Sequence, residues 1–370
     1  MVDTCRKPLL EVCDLLDSKR VPVTSNKRIH GPYPYYGANG IQDYVNDYIF
    51  DDDLVLLAED GGNFGSKDKP IAYRVSGKCW VNNHAHVLKP REGLNVDYLC
   101  YSLMYYDTKG LVNGATRKKL TQTAMKNIKI PILAYNEQLK IVKRIAVVST
   151  LINNRKKELG LLDELVKSRF IEMFGDLINE PKYPGIKLGS LGVMITGGTP
   201  SRKHDEYYGG NIPFISTPCL GSNFISEKNV QNYLTEAGVK NSATHKIPPY
   251  SLMVGNRVGV GKSSINTCEM CTNQDILSFV HIDTNRFDLL FLKKVIDQYS
   301  PYFDEHKRGA TIQGVPSKVI KDSMVPDVPL EMQKRYTALV KQSDKSKLAV
   351  QKSLDELEIL KKSLMQTYFG

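Results

Sequence analysis

The sequence predicts an α+β protein in which two globular domains alternate with two long helices, arranged as a pseudo-two-fold internal repeat. The main observation is a match between the two halves at a constant offset of 195 residues, without a gap, from 114–175 to 309–370. One register held over that length indicates two copies of one module. The identities include Gly114-Ala115-Thr116 with Gly309-Ala310-Thr311, Pro131 with Pro326, Gln138 with Gln333 and Phe174-Gly175 with Phe369-Gly370.

Each half also divides into two compositional zones. Residues 1–130 and 183–325 are rich in Gly, Asn, Tyr and Pro, with short apolar runs such as Leu54 to Ala58 and Ile276 to Val280. Such runs between turn-forming residues are typical of short strands, so we expect a globular domain in each range. Outside the shared tail the two ranges differ strongly in sequence, which predicts that the two domains bind different targets.

The remaining ranges, 131–182 and 326–370, are predicted to be helical regions, with helices over 136–174 and 331–369. Their apolar residues recur in steps near three and four, which favours an antiparallel coiled coil acting as a spacer. At about 1.5 Å per residue, each helix would be about 57 Å long. In the first helix the seam contains Ile141, Ile145, Val148, Ile152, Arg155, Leu159, Leu162, Val166 and Met173. In the second it contains Tyr336, Val340, Val350, Leu354, Leu357 and Leu364, with Ser343 and Lys347 as polar interruptions.

Composition favours a two-domain protein and is compatible with a polyanionic partner, although many basic proteins bind no nucleic acid. The chain has 370 residues, a formal net charge of +10 and seven cysteines. Lys and Arg in excess favour phosphate-rich ligands, and an odd number of scattered cysteines fits reduced thiols. No apolar run approaches the ~18 residues that span a bilayer, and the first residues do not form a signal peptide. We therefore expect a cytoplasmic protein that does not contact membranes.

Several local motifs, taken in order with the repeat, resemble the specificity (S) subunit of a Type I restriction–modification system. The resemblance covers essentially the whole chain, because that family alternates a target recognition domain with a helical region twice. In the first domain it is carried by 34–41 (PYYGANGI) and 82–88 (NNHAHVL). In the second domain it is carried by 197–201 (GGTPS), 210–217 (GNIPFIST) and 271–275 (CTNQD).

The resemblance implies a non-catalytic subunit that recognises a bipartite, asymmetric site in double-stranded DNA. It further implies that the long helices bind two modification subunits, which carry S-adenosylmethionine and methylate adenine, and that restriction subunits bring ATP and Mg²⁺. This chain would then bind no cofactor or metal itself. Residues 1–130 and 183–325 would be target recognition domains 1 and 2.

Two other function classes stay open at the level of sequence, a catalytic DNA-modifying enzyme and a structural coiled-coil adaptor. An adenine methyltransferase loop would need Asn or Asp before Pro248-Pro249-Tyr250, where the chain has Ile247. Asn256 to Ser263 imitates a phosphate-binding loop, but its first glycine, Gly255, falls one position too early. An adaptor would not bind DNA selectively, so DNA binding discriminates it from a specificity subunit.

Metal sites are disfavoured by ligand number. Cys268 and Cys271 form a single pair, and His84 and His86 lie two apart on a predicted strand. Structural zinc usually takes four ligands. We therefore expect these side chains to be buried or hydrogen-bonded.

The candidate DNA contacts are polar and basic residues in the loops of the two domains. Arg or Lys can read guanine and Asn or Gln can read adenine, while Lys, Ser and Thr bind phosphates. For each of them a solvated loop position is an equally good interpretation, and Arg117 to Lys119 and Lys307-Arg308 fit phosphate contacts better than base readout. The candidates are Tyr35, Tyr36, Asn39, Asn63, Ser66, Lys67, Arg117, Lys118 and Lys119 in the first domain, and Thr199, Ser201, Arg202, Lys203, Asn256, Arg257, Lys262, Lys307, Arg308 and Gln313 in the second.

Overall fold

A computed structural model describes residues 5–66, 68–114, 116–230, 232–309 and 313–370. The chain forms two compact units. The first unit comprises Met1–Lys157 with Gln351–Gly370, and the second comprises Glu158–Val350. Each unit therefore contains one globular domain together with a segment of both long helices.

The first unit is built from short strands, three short helices and parts of the two long helices. Its strands are β1 (Arg6–Pro8), β2 (Cys13–Leu15), β3 (Tyr33–Gly37), β4 (Gly40–Val45), β5 (Phe50–Asp51), β6 (Leu54–Ala58), β7 (Ala72–Val75), β8 (Lys78–Val81), β9 (Ala85–Pro90), β10 (Val112–Asn113), β11 (Lys119–Leu120) and β12 (Lys129–Pro131). Its helices are α1 (Leu9–Val12), α2 (Val96–Met104), α3 (Gln122–Met125) and the first part of α4 (Tyr135–Phe174).

Two four-stranded sheets form the core of the first domain. One has the strand order β2-β9-β6-β7 and the other has the order β4-β3-β8-β5. All five residues of β6, Leu54 to Ala58, are buried, as a continuous apolar run at the centre of a sheet predicts. Leu99 and Leu103 of α2 are fully buried in the same core as Val55 and Leu57.

The second unit has a corresponding set of elements. Its strands are β13 (Gly175–Asp176), β14 (Glu180–Pro181), β15 (Gly185–Lys187), β16 (Val193–Thr196), β17 (Tyr208–Ile215), β18 (Phe224–Ile225), β19 (Asn232–Leu234), β20 (Lys246–Ile247), β21 (Leu252–Gly255), β22 (Ser263–Asn266), β23 (Met270–Thr272), β24 (Ile276–Val280) and β25 (Met324–Pro326). Its helices are α5 (Glu236–Lys240), α6 (Leu289–Gln298), α7 (Ser300–Glu305), α8 (Ser317–Lys321) and α9 (Leu330–Phe369), of which the last part belongs to the first unit.

The two domains share one sheet topology despite their different sequences. The second domain has the orders β16-β24-β21-β22-β18 and β19-β17-β23-β20. The first of these sheets has one additional strand, β18. Its other strands, β16, β24, β21 and β22, correspond in that order to β2, β9, β6 and β7. Likewise β19, β17, β23 and β20 correspond to β4, β3, β8 and β5. The divergence between the domains therefore changes loops and surfaces and leaves the framework unchanged.

The long helices begin one residue before the predicted positions and end as predicted. The strands before them, β12 and β25, end at Pro131 and Pro326, which cannot donate a further ladder hydrogen bond. Gly175 follows α4 with φ +83°, the left-handed conformation that favours glycine after a helix.

Within the first unit the two helical segments run in opposite directions. Arg144 donates to the Tyr368 hydroxyl at 2.8 Å, and Lys156 lies 3.0 Å from the Glu358 carboxylate. As the residue number rises along α4, its partner number along α9 falls. Met365 of α9 is buried in the core that contains Ile141 and Ile145 of α4.

The second unit contains the same antiparallel contact. Lys347 pairs with Asp163, and the Tyr336 hydroxyl donates to the Val166 carbonyl at 3.3 Å. The Tyr336 ring also lies 5.4 Å and 5.6 Å, centroid to centroid, from Phe170 and Phe174 in edge-on contacts. Lys347, a polar interruption in the predicted seam, therefore forms an ion pair with the opposite helix.

One buried glutamine in each unit explains an identity of the repeat. The Gln138 side chain accepts from Asn95 N and donates to the carbonyls of Gly93 and Leu133, each at 2.9 Å. Gln333 accepts from Asp288 N at 2.9 Å and donates to the carbonyls of Arg286 and Val328 at 3.1 and 2.9 Å. Asn95 and Asp288 are the N-caps of α2 and α6, so each glutamine fixes a long helix to its own domain.

We expect Gln138→Ala and Gln333→Ala each to lower the free energy of unfolding by about 2–4 kcal/mol, because each removes the partner of one N–H and two carbonyls that lie partly or fully buried around the glutamine. Denaturant unfolding of the full chain measures this loss. Gln351→Ala, at an exposed position of α9, is the matched control and should change stability by about 0.5 kcal/mol or less. Equal effects of all three variants would contradict the role of the buried glutamines.

Candidate nucleic-acid interface

Four loop segments meet at one end of the first domain, and we call them the first loop cluster. They are the β3–β4 turn, the segment 59–66 after β6, the β8–β9 turn at 82–84, and the segment 116–119. The Asn39 amide donates to the Gly61 carbonyl at 3.0 Å, and Gly61 N donates to the Lys118 carbonyl at 3.1 Å. Glu59 N donates to the His84 carbonyl at 2.9 Å. The cluster therefore brings together candidate residues from distant parts of the sequence.

A buried network of charged side chains lies beneath the first loop cluster. His86 is fully buried, with Nδ1 2.6 Å from the Asp17 carboxylate and Nε2 2.8 Å from the Leu120 carbonyl. Both neighbours are acceptors, so each ring nitrogen lies against an atom that can take a hydrogen bond from it. Arg20 bridges the Asp17 and Glu59 carboxylates at 3.2 and 2.7 Å. The network ties the end of the loop 116–120 to the sheet.

Asp17, Glu59 and His86 also have the spacing of a metal-binding group, with ligand atoms within 4.8 Å of one another. The Asp17 oxygens already accept hydrogen bonds from His86, Val87 and Gln122. The positive charge that a metal would bring to the two carboxylates is supplied by Arg20. The geometry therefore fits an ion-pair network, and His86 is a buried, hydrogen-bonded residue as the sequence predicts.

Tyr35 was predicted to contact DNA, and the structure shows that this assignment is wrong. Its side chain is 1% exposed, and its hydroxyl accepts from Val23 N at 3.0 Å. The Arg28 guanidinium covers the ring at 4.2 Å from its centroid. The segment around Val23 thus covers this face of β3, and Tyr35 belongs to the core.

The other candidates of the first domain differ in exposure. Tyr36 is half-buried against Tyr73, and Asn63 is half-buried with its amide donating to the Pro70 carbonyl at 3.2 Å. Lys67 lies outside the described residues. Asn39, Ser66, Arg117, Lys118 and Lys119 are exposed. Arg117 pairs with Asp60, and Lys119 pairs with Glu59 at 3.2 Å.

A second loop cluster occupies the corresponding end of the second domain. Its segments are 197–199, 256–262, 273–275, 308–309 and 313–314. Gly198 N donates to the Thr272 carbonyl at 3.0 Å, and Asn256 N donates to the Asp275 carbonyl at 2.9 Å. Val315 N donates to the Asn256 carbonyl at 2.7 Å, as Leu120 N donates to the Glu59 carbonyl at 2.7 Å in the first unit. The two loop clusters therefore stand on equivalent parts of the two frameworks.

The second loop cluster holds most of the candidates of its domain. Thr199 is exposed and donates to Gln274 at 2.5 Å, and Arg257 lies 3.5 Å from the Asp275 carboxylate. Asn256 is half-buried. Lys307 is half-buried and pairs with Asp304 at 2.5 Å, which weakens its assignment as a phosphate contact. The exposed candidates without an ion pair among the described contacts are Ser201, Arg202, Lys203, Lys262, Arg308 and Gln313.

Two sequence alternatives lose support from local structure. Asn256 to Ser263 leads into strand β22, whereas a phosphate-binding loop leads into a helix whose N–H groups bind the phosphate. Cys271 is fully buried, and burial raises the pKa of its thiol to about 11. A thiol in that state is a poor metal ligand at neutral pH.

One basic segment of the first domain, around Lys27, is not among the DNA contacts that the sequence predicts. The loop between β2 and β3 corresponds to the loop between β16 and β17, and at an offset of 175 Thr24 matches Thr199 and Lys27 matches Arg202. Lys27 is exposed on a short 3-10 turn, Ser25–Lys27. The match between these two loops is visible in the sequence, but its offset of 175 residues differs from the 195-residue offset of the repeat.

Comparison with known proteins identifies the family. The sequence model described as Type I restriction modification DNA specificity domain matches residues 1–161 and 183–358, and the chain belongs to this family. It is therefore a DNA-recognition component and not a catalytic subunit. None of the helices in the described ranges combines the length and hydropathy needed to span a bilayer.

Individual relatives agree with this assignment. A putative type I restriction enzyme specificity subunit of Haemophilus influenzae, S.HindORF215P, is 28% identical over 353 residues, which cover 90% of this chain and 86% of the relative. The crystal structure of an S subunit from M. genitalium has a TM-score of 0.61 at 13% identity and covers 100% of this chain and 97% of that chain. A second solved structure, described as showing the basis of complex assembly and conformational transition of the type I R-M system, contains a chain with a TM-score of 0.62 at 16% identity. The match covers 100% of this chain and 98% of that chain. The fold is therefore that of S subunits.

Proposed function

We propose that each loop cluster reads one half of a bipartite, asymmetric site in duplex DNA through the major groove. The observation that carries this proposal is that one framework, present twice, displays two loop clusters with different side chains. Because the framework is the same, each loop cluster would meet DNA in the same orientation relative to its own domain, while the different side chains select different bases. The two halves of the site therefore differ in sequence.

In this proposal the chain directs chemistry that its partners perform. Two modification subunits with S-adenosylmethionine methylate adenine, and restriction subunits with ATP and Mg²⁺ cleave unmodified DNA in the cytoplasm. This chain itself binds none of these cofactors. Exposed apolar side chains on the long helices support a protein-binding role, since such groups favour burial against a partner. They are Leu139, Val147, Leu151, Leu161, Leu165, Leu348, Ile359 and Leu360.

Mapping of methylated bases tests the proposal directly. Cells that carry the full chain with its modification subunit should contain one methylated bipartite motif, with unequal halves separated by unspecified bases. Cells with the modification subunit alone should lack that motif. A chain that assembles with the modification subunit without conferring any motif would be an adaptor instead.

Exposed Lys and Arg side chains without a carboxylate partner among the described contacts are expected to bind DNA phosphates. We predict that Lys118→Ala and Arg308→Ala each weaken binding to all duplexes alike and lower the salt slope of log K by about one unit. Lys307→Ala is the matched control, because Lys307 is half-buried and paired with Asp304. Binding of the assembled complex at several salt concentrations measures both effects. A changed base preference in Lys118→Ala or Arg308→Ala would contradict phosphate contact.

A further inference from the structure

Each loop cluster contains one exposed guanidinium paired with a partly buried carboxylate. The Arg117 side chain is 59% exposed, and its partner Asp60 is 21% exposed. The Arg257 side chain is 52% exposed, and its partner Asp275 is 14% exposed. In each pair the carboxylate is fixed in the domain and the guanidinium extends toward solvent.

Both arginines pack against a glycine. A Cβ added at Gly61, where φ is +68°, would lie 3.2 Å from Arg117 Nε. A Cβ at Gly314 would lie 2.7 Å from Arg257 Cγ and would displace that side chain. The absence of a side chain at these two positions lets each arginine lie close to the backbone, which restricts its orientation further.

The pairs are not copies produced by the repeat. At the offset of 195 residues, Arg117 corresponds to Ile312 and Arg257 corresponds to Gly62. In the first unit the arginine follows the Gly-Ala-Thr turn, whereas in the second unit it follows β21. The same arrangement therefore occurs at the same end of both domains from different sequence positions, which points to a shared function there.

Guanidinium chemistry suggests what that function is. A carboxylate occupies part of the five N–H donors and leaves the others directed outward in a planar fork. In the major groove, guanine presents two neighbouring acceptors, N7 and O6, that match this fork. Holding the arginine in place beforehand reduces the entropy lost on binding. A lysine such as Lys118 is a point charge and suits phosphate instead.

We infer that Arg117 and Arg257 each read the guanine of one G·C pair, one in each half of the DNA site, and that Asp60 and Asp275 are positioning residues. For Arg117 this replaces the phosphate contact that the sequence favoured, because the structure pairs Arg117 with Asp60. The inference rests on the proposed function, because it requires that the loop clusters face the major groove. It adds a requirement on the DNA sequence to the proposed function, because each half of the site must then contain a G·C pair.

The test uses the full chain assembled with its modification subunit. The methylated motif should contain at least one G·C pair in each half. Arg117→Ala should relax one position in one half, with a 10-fold to 100-fold loss on the cognate duplex, and leave the other half unchanged. Arg257→Ala should do the same in the opposite half. Asp60→Asn and Asp275→Asn should relax the same positions to a smaller extent, and base preference is a readout that a merely structural role would not move.

Two further variants make the outcome decisive. Lys118→Ala, beside Arg117, should weaken binding without changing the motif. Arg117→Lys keeps the charge and loses the fork, so it should relax the same position as Arg117→Ala even if the alanine variant is unstable. A half-site without a G·C pair, or arginine variants that weaken all duplexes equally, would overturn the inference. If the wild-type complex methylates no bipartite motif, the proposed function fails instead.

Discussion

Insertion of four residues into both long helices, after Lys157 in α4 and after Val350 in α9, is expected to widen the gap between the half-sites by about two base pairs. Four residues add about 6 Å to a helix, and one base pair occupies about 3.4 Å of duplex. The bases recognised in each half should stay unchanged. Affinity for the original site should fall on the order of 100-fold, because both domains can no longer engage it together.

The insertion points keep the contacts within each unit intact. The ion pair Lys156–Glu358 lies in the first unit, and Asp163–Lys347 lies in the second. Both points fall between these pairs on their respective helices. Insertion after Thr150 in α4 alone is the informative contrast, because it separates the Arg144 contact with Tyr368 from the Lys156 pair and should lower stability.

Mapping of the methylated motif measures the result for each variant. A seven-residue double insertion restores the helix faces almost completely, since 3.6 residues make one turn, and should widen the gap by about three base pairs. Altered half-site bases at an unchanged spacing would be incompatible with a spacer role for the helices.

The long helices were the most predictable part of the fold. Their signal lies in consecutive residues, because both the apolar period and the absence of proline act locally. The sheets were not predictable in detail, since β3 pairs in parallel with β8 and the topology joins segments far apart in sequence. The repeat predicted two copies of one module, but the strand-by-strand equivalence of the two domains outside the repeated tail was hidden for the same reason. It resides in strand order, while the loops that carry most of the sequence have diverged.

The candidate site was predictable in residue type and only partly in position. Several candidates from glycine-rich loops come together in one loop cluster of each domain, and these include Arg117 and Arg257. That these loops contact DNA stays a prediction. The prediction for Tyr35 was wrong because the segment around Val23 folds back over its side chain. No local sequence pattern reveals the turn that brings the two together. The carboxylates that hold the arginines also come from other loops. Exposure and pairing both depend on such distant contacts, which a single sequence does not specify.

Titration of the buried network gives stability a dependence on pH. Burial by itself would raise the pKa of Asp17, but hydrogen bonds from His86 and Val87 and the charge of Arg20 outweigh it, so the pKa is lowered. An unfolded aspartate titrates near pH 3.9. The ionised carboxylate therefore contributes stability that is fully present above about pH 4 and is lost as pH falls through the lowered folded-state pKa.

Asp17→Asn should accordingly lower the free energy of unfolding at pH 7 by about 3–5 kcal/mol, because it leaves Arg20 short of one buried counter-charge and removes the carboxylate that His86 contacts. The loss should shrink in acid, where the wild-type carboxylate is protonated as well. Denaturant unfolding of the full chain between pH 3 and 7 measures both effects. Asp14→Asn is the matched control, since Asp14 forms an exposed pair with Arg91 at 2.8 Å whose removal should cost about 1 kcal/mol or less. Because the network also holds the Leu120 carbonyl, amide exchange in residues 116–122 should accelerate in Asp17→Asn alone. If the two variants lose equal stability at every pH, the network does not stabilise the first loop cluster.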